Sequence, residues 1–220
     1  MEVLVEFGPY LLQAAVMTVA LAVTSIVLSA AIGLLGGMLS VVGGPLLRLG
    51  FQAYVYIIRG TPILVQVFLV YFGLPFLGVR VNSYVVAIVA ISLHMSAFVI
   101  EIVRGAIIAI PAGQTDAALA LGMRPWLLMR QVLLPQAFIA AMPPCVSLLP
   151  VTDKATALAS VINIWELTFA AREIANKTLA TFEVFGMIFG LYFVMCYPLS
   201  YLGSRLERRL VAYRQRPGTA

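Results

Sequence analysis

Long apolar runs, separated by short polar segments, are the main feature of this 220-residue chain. The first run contains no ionisable side chain except the phenol of Tyr10. A helix needs about 20 apolar residues to cross a hydrocarbon core of roughly 30 Å, and five runs reach that length. The pattern therefore predicts an all-α integral membrane protein, a single domain over residues 1–220, with five transmembrane helices. The predicted spans cover residues 10–42, 51–79, 84–104, 132–151 and 184–204.

Polar residues and prolines divide the rest of the chain. Residues 105–131 predict a long cytoplasmic loop, and residues 214–220 predict a disordered tail. Residues 152–183 mix apolar with charged residues, and we expect this outer segment to re-enter the membrane in part. Irregular backbone is tolerated at that depth only where it is buried or lines a cavity. Four prolines predict a break in the fourth span just before Asp153; they are Pro135, Pro143, Pro144 and Pro150.

The composition supports a membrane protein and argues against a nucleic-acid binder. Hydrophobic residues make up 62% of the chain and charged residues 10%, against about 45–50% and about 25% in soluble domains. One core cannot bury so much apolar surface, so the excess faces lipid. The net charge of +5 comes from Arg residues that lie mostly at the ends of apolar runs. Because no basic patch with interleaved aromatic residues accompanies them, we expect no nucleic-acid partner.

The Arg and Lys residues predict the orientation, since cytoplasmic loops carry an excess of both. With the C-terminus inside, ten of the 14 lie on the inner side. These are Arg48, Arg59, Arg104, Arg124, Arg130, Arg205, Arg208, Arg209, Arg214 and Arg216. The outer side then carries only Arg80, Lys154, Arg172 and Lys177. We therefore predict that the N-terminus lies outside and the C-terminus lies in the cytoplasm.

The cytoplasmic loop predicts a short helix of about two turns, with Thr115 as its N-cap and Asp116 in the first turn. Gly122 fits the position just past a helix end, and Pro125 fits the first turn of a second helix. The short helix is either an ordinary connection or a contact surface, because small side chains let a partner's groove approach closely.

The spacing of this loop resembles a known motif. Asp116-Ala117-Ala118 is followed after three residues by Gly122, after nine more by Val132, and then by Leu134-Pro135. The segment resembles the EAA loop of ATP-binding-cassette (ABC) importer permeases, with Asp in place of Glu and Val in place of Ile. Further segments are similar to the polar amino acid uptake branch of that family, and the resemblance covers about residues 10–212. They are Gly113-Gln114, Pro135–Ala137, Arg59–Pro62 with Gln66, Glu101–Gly105 and Lys154–Ile162.

The resemblance implies a type I ABC importer-like permease subunit in a bacterial cytoplasmic (inner) membrane. Such permeases form homo- or heterodimers, receive substrate from a periplasmic or lipid-anchored solute-binding protein, and dock a loop helix into separate ATPase subunits. ATP and Mg²⁺ are bound by those ATPases, and this chain contains no phosphate-binding G-x-x-x-x-G-K-[ST] loop. The resemblance therefore implies no cofactor and no catalytic residue on this chain. The implied coupling residues are Gln114, Asp116, Ala117, Ala118 and Gly122.

Eight residues are candidates for the substrate path: Arg59, Thr61, Gln66, Glu101, Asp153, Lys154, Thr156 and Ser160. A zwitterionic amino acid carries an ammonium and a carboxylate, and a broken helix at mid-membrane offers dipole ends and carbonyls to such groups. The branch usually has Asp where this chain has Ala155. For Arg59 the alternative is an arginine that snorkels to the inner interface. Glu101 and Arg104 predict an ion pair on one helix face, which anchors the interface or takes part in gating.

The single histidine and two glycine pairs complete the candidates. His94 lies inside the third predicted span, where a lone histidine is more often a hydrogen-bonded group than a metal ligand, and we predict no metal site. Gly33 with Gly37, and Gly186 with Gly190, form G-x-x-x-G patterns consistent with close helix packing.

The expected function is ATP-driven uptake of a polar amino acid by alternating access, with energy supplied by partner ATPases. Within the same family the alternative is a permease for another small polar solute, such as an opine or an organic anion. A passive channel or structural anchor has no need of a coupling helix. A membrane-embedded enzyme needs clustered ionisable groups, for which residues 152–183 are the only candidate segment.

Overall fold

The computed structural model describes the backbone of residues 2–214 and the side chains of residues 6–208. The predicted tail lies outside the described residues, except for Arg214, where the last helix ends. The helices are α1 Glu2–Val42, α2 Pro45–Arg59, α3 Ile63–Phe76, α4 Ser83–Ile108, α5 Ala112–Ala120, α6 Pro125–Leu128, α7 Leu134–Ser147, α8 Leu149–Ala155, α9 Leu167–Thr178 and α10 Thr181–Arg214. A π-helical turn at Met129–Leu133 joins α6 to α7, and a 3-10 helix at Thr156–Ile162 follows α8.

Four helical stretches are long and apolar enough to cross a membrane, which confirms the all-α membrane class. They are Glu6–Val42, Ser83–Ile108, Pro125–Ile162 and Thr181–Arg208. The second predicted span is not one straight helix. It consists of α2 and α3, which meet at an angle of 105° across the break after Arg59. Counted as one bent span, this pair gives five crossings.

The prolines of the fourth span interrupt the helix less than the sequence suggests. Pro143 and Pro144 both lie inside α7. The interruption before Asp153 is confined to Leu148, between α7 and α8, and α8 then carries Asp153 and Lys154 to its end. Pro150 opens α8 within its first turn, where the missing proline N–H has no intrahelical partner to lose.

Close packing of α1 on α4 forms the centre of the bundle. A Cβ atom at Gly37 would lie 2.6 Å from the Cβ of Val103, and one at Gly33 would overlap Val99 more severely. Only glycine therefore allows the two backbones to approach this closely. The second pair, Gly186 and Gly190, has no heavy atom within 4 Å of such a Cβ, so it makes no close contact among the described residues.

Glu166 begins α9 and ties it to two membrane-spanning helices. Its side chain is fully buried, and one carboxylate oxygen accepts a hydrogen bond from the Phe169 N–H at 2.7 Å. The other oxygen accepts from the Tyr192 hydroxyl of α10 at 3.2 Å. On the α1 side, the hydroxyl of Thr18 accepts the Leu167 N–H at 3.0 Å. The N–H groups of Leu167 and Phe169, which have no partner within the helix, and both carboxylate oxygens of Glu166 are thus hydrogen-bonded.

Burial raises the pKa of Glu166 to about 7 from its ordinary 4.5, because desolvation disfavours the charged carboxylate. The hydrogen bonds from Phe169, Tyr192 and Thr18 act in the opposite direction but offset burial only in part. Among the described side chains, no Arg or Lys forms an ion pair with this carboxyl group.

The glycine contact predicts different effects for two matched alanine substitutions. Gly37→Ala should lower the melting temperature of the purified protein by several degrees, because overpacking costs about 1–3 kcal/mol. Gly190→Ala meets open space and should leave the melting temperature unchanged or slightly raised, because alanine has a higher helix propensity than glycine. Thermal unfolding in one detergent measures both. A native-like Gly37→Ala would contradict the packing, and a large loss in Gly190→Ala would indicate that this face packs on a second copy.

The buried carboxyl group predicts a pH-dependent stability. Because the pKa of Glu166 is higher in the folded than in the unfolded chain, the folded state binds more protons between pH 4.5 and about 7, and stability falls as pH rises through that window. Glu166→Gln keeps a carbonyl acceptor without a charge, so its melting temperature should fall less across the window than that of the native protein. Glu183→Gln, at an exposed carboxylate in the first turn of α10, is the control and should follow the native curve. Parallel curves for all three proteins would refute the assignment.

Candidate substrate path and coupling helix

The loop helix α5 begins earlier than the sequence indicated. Pro111 stands in extended conformation before its first turn, and the Gln114 N–H donates to the Pro111 carbonyl at 3.1 Å. Thr115 therefore lies within the helix and is not its N-cap, and Asp116 lies in the second turn. The reason is that a proline suits a helix start without any side-chain cap, because its missing N–H has no intrahelical partner there. The end is as predicted, since Gly122 has a φ of +74° and Pro125 opens α6.

The faces of α5 differ in exposure. Ala118 is buried against α4 and the segment that precedes α7, in a cluster that includes Val103, Ile107 and Leu133. Asp116 and Ala117 face outward. Gln114 is exposed too, but its carbonyl oxygen accepts a hydrogen bond from Gln136 of α7 at 2.6 Å. The helix is thus fixed to the spanning bundle by one face and presents small side chains and one carboxylate on the other.

The break between α2 and α3 leaves a helix carbonyl without its usual donor. In a continuous helix the N–H of residue 62 would bond to the carbonyl of Ile58, but Pro62 has no N–H. The side-chain Nε2 of Gln66 donates to that carbonyl at 2.7 Å instead. It also lies 2.7 Å from the Thr61 hydroxyl and 3.2 Å from the Thr61 carbonyl. A buried glutamine thus supplies the donor that the proline removes.

Gln66 is held in turn by the single histidine. Its carbonyl oxygen lies 3.1 Å from Nδ1 of His94, a half-buried residue of α4. The prediction that His94 is a hydrogen-bonded group is confirmed. Its partner was not predicted, because Gln66 lies 28 residues earlier in the chain and no local pattern links the two.

A line of polar and aromatic residues on α4 faces the same break. The Arg59 guanidinium lies 5.1 Å from the centroid of the Phe98 ring, and that ring lies 5.4 Å from the His94 ring. Glu101, one turn further along α4, forms the predicted ion pair with Arg104, whose Nε donates at 3.0 Å. The arrangement places a guanidinium and a carboxylate on one face of the bundle, where they suit the carboxylate and the ammonium of a zwitterion.

The remaining candidates form a second group around the end of α8. Asp153 is buried, and its carboxylate accepts a hydrogen bond from the Cys196 thiol of α10 at 3.1 Å. The Thr156 hydroxyl donates to the Asp153 carbonyl at 2.7 Å, and the Ser160 carbonyl accepts from Arg172 at 2.6 Å. Lys154 is exposed. Sequence reasoning missed Cys196, because an isolated thiol in an apolar run carries no signal of a carboxylate partner.

The two groups both adjoin α4, and no hydrogen bond joins them among the described side chains. Ala155 packs with Ile91 and Met95 of α4 and with Ile63, the first residue of α3. Among the described side chains, no hydrogen bond joins Asp153, Thr156 or Ser160 to the residues around Arg59. The structure therefore brings Arg59, Thr61, Gln66 and Glu101 together and keeps the Asp153 group as a neighbour.

Comparison with known proteins gives a consistent assignment. Residues 29–212 match the family described as binding-protein-dependent transport system inner membrane component. The chain is 35% identical to the glutamine transport system permease protein GlnP of Escherichia coli (strain K12), over 92% of this chain and 93% of that protein. It is 32% identical to the arginine transport system permease protein ArtQ of Bacillus subtilis (strain 168), over the same shares of the two chains.

A solved structure extends the likeness to three dimensions. The fold is similar, with a TM-score of 0.86 and 33% identity, to the crystal structure of an amino acid ABC transporter with histidines, over 94% of this chain and 96% of that one. Both sequence relatives are named as permease proteins of transport systems, so the prediction that the chain is a transporter subunit rather than an enzyme is confirmed. The chain belongs to the family of binding-protein-dependent transport system inner membrane components and is a permease subunit of an ABC transporter.

Proposed function

We propose that this chain imports a polar amino acid across the bacterial inner membrane, as one half of a homo- or heterodimeric permease. Relatives named as glutamine and arginine permeases, each similar over nearly the whole chain, support an amino acid as the class of substrate. A solute-binding protein delivers that substrate from the outer side. The N-terminus lies outside and the C-terminus in the cytoplasm, in accordance with the distribution of Arg and Lys.

The observation that carries the proposal is the charged face formed by Arg59, Glu101 and Arg104. A charged side chain within a membrane span is costly unless it is hydrated or paired, so such groups face the bundle interior, a wet cavity or a protein partner. Arg59 is largely exposed in the single chain, and its guanidinium lies on the Phe98 ring. A second permease subunit covers this face, and the amino acid passes between the two. Arg59 then binds its carboxylate, and Glu101 binds its ammonium.

The four candidates at the end of α8 have different roles in this proposal. Lys154 is exposed and reaches the path, whereas Asp153, Thr156 and Ser160 are buried and shape the wall behind it. Thr61 and Gln66 keep the break between α2 and α3 in one conformation. These roles follow from exposure and hydrogen bonding, because only an exposed side chain can meet a passing solute.

Coupling to ATP hydrolysis takes place at α5. Its outward face, with Gln114, Asp116 and Ala117, docks on an ATPase subunit, while buried Ala118 fixes the helix to the bundle and Gly122 ends it. Closure of the ATPases, which bind ATP and Mg²⁺, moves the docked helix as a rigid lever. The permease then alternates between inward-open and outward-open states.

The test is ATP-dependent uptake by the complete transporter in liposomes. The permease is combined with an ATPase and a binding protein from the same organism, and radiolabelled L-glutamine, L-arginine and octopine are supplied separately. We expect uptake of an amino acid that requires ATP and is abolished by Gly122→Trp, because the bulky side chain disturbs the docked helix. Gly50→Trp, at an exposed glycine of α2 with open space around it, is the matched control and should retain uptake.

Each other outcome contradicts a different part of the proposal. Uptake of octopine alone would make the chain an opine permease of the same family. Uptake that needs no ATP and ignores Gly122→Trp would indicate a passive channel and would refute coupling through α5.

A further inference from the structure

The atoms around Gln66 determine which nitrogen of His94 carries its proton. Two neighbours of the Gln66 Nε2 position are the carbonyl oxygens of Ile58 and Thr61, which can only accept hydrogen bonds. The amide nitrogen therefore faces the helix break, and the amide oxygen faces His94. An oxygen can only accept from the ring, so Nδ1 of His94 carries the proton and donates at 3.1 Å.

This donor acts on the part of the chain that presents Arg59. Gln66 contacts the chain on both sides of Arg59. Its Nε2 lies near the carbonyl of Ile58, just before Arg59, and near both oxygens of Thr61, two residues after it. Rotation of the Gln66 amide would bring its oxygen against these acceptors and push the break open. The His94 donor prevents that rotation, since a turned amide would present its NH₂ group to the Nδ1–H.

The segment of α4 that carries His94 is firmly packed. Its neighbours Met95, Ser96 and Ala97 on α4 are buried, and the Tyr54 hydroxyl of α2 lies 2.8 Å from the Ser96 hydroxyl. Phe98, on which the Arg59 guanidinium lies, is one turn from His94 on the same helix. One segment of α4 thus fixes both the side chain of Arg59 and, through Gln66, its backbone.

We propose that His94 is a positioning residue of the substrate path: through the Gln66 amide it holds the Arg59–Thr61 break in the shape that binds the amino acid. The effect of His94 on substrate binding rests on the proposed function. The hydrogen bond between His94 and Gln66 requires no substrate. His94 does not touch the solute. Its imidazole acts by donating one hydrogen bond, so a residue that donates from the same place should replace it.

The first experiment reads the proton position directly. His94 is the chain's only histidine, so [¹⁵N]histidine labelling of the full-length permease, purified with a tag that contains no histidine, gives a single imidazole in the NMR spectrum. At about pH 8, above the ordinary histidine pKa of about 6.5, we expect the Nδ1–H tautomer in nanodiscs and a changed Nδ1 shift in Gln66→Leu. A pure Nε2–H tautomer in the native protein would overturn the proposal, whatever the substrate.

The second experiment measures affinity in the permease–ATPase complex without binding protein, with radiolabelled L-glutamine and L-arginine as probes. His94→Leu removes the donor and should weaken binding about tenfold. His94→Asn places an amide nitrogen near the position of Nδ1 and should bind within about twofold of native. Basal ATP hydrolysis shows that each complex is assembled.

Two results would contradict the positioning role: native-like binding by His94→Leu, or equal losses in His94→Leu and His94→Asn. Failure of the proposed function has a different signature. If the native complex binds and imports neither amino acid, the substrate assignment and the role of His94 in affinity both fail, while the tautomer experiment still decides the hydrogen bond.

Discussion

A backbone group that is buried away from water needs a hydrogen-bond partner inside the protein, and this constraint governs the regions where the chain departs from straight spans. At the break after Arg59, Pro62 removes a donor and the Gln66 side chain supplies another. At the start of α9, the first N–H groups bond to the Glu166 carboxylate and to the Thr18 hydroxyl. In both places a buried polar side chain replaces a missing helical partner, so polar residues at depth first serve the backbone.

Helix α4 is the central helix of the bundle, on which α1, α2, α3 and α7 pack. Its Val99 and Val103 side chains pack against Gly33 and Gly37 of α1, which brings the two helix backbones close together. Another face carries His94, Phe98 and Glu101, which contact the break, the Arg59 guanidinium and Arg104. An importer needs a fixed element against which other parts move, and a glycine-packed helix pair provides one. The loop helix α5 packs against α4 through Ala118, and we propose that movement of α5 is transmitted to α4 by this contact.

Much of the fold followed from the sequence, because apolar run length and glycine conformation are local properties. The apolar runs predicted the spanning helices, and Gly122 predicted the end of α5. The failures were also physical. The local sequence predicts Thr115 as the N-cap because a hydroxyl side chain is a capping signal, whereas the observed start at Pro111 uses no side-chain cap. The pairs Gln66–His94 and Asp153–Cys196 join residues 28 and 43 positions apart, and only the packed bundle brings them together. Gly186 and Gly190 repeat the pattern of Gly33 and Gly37, but no helix among the described residues packs closely on them.

We propose that the face around Arg59 and Glu101 lines the route of the amino acid. A cryo-EM map of the assembled transporter, trapped with its imported amino acid, tests it most directly. We expect density for the ligand against α4, with its carboxylate at Arg59 and its ammonium at Glu101, and with the Gln66 amide still hydrogen-bonded to the Ile58 carbonyl at the break. Ligand density elsewhere in the bundle, with Arg59 in contact only with lipid or Phe98 and Glu101 only with lipid or Arg104, would show that this face does not line the route.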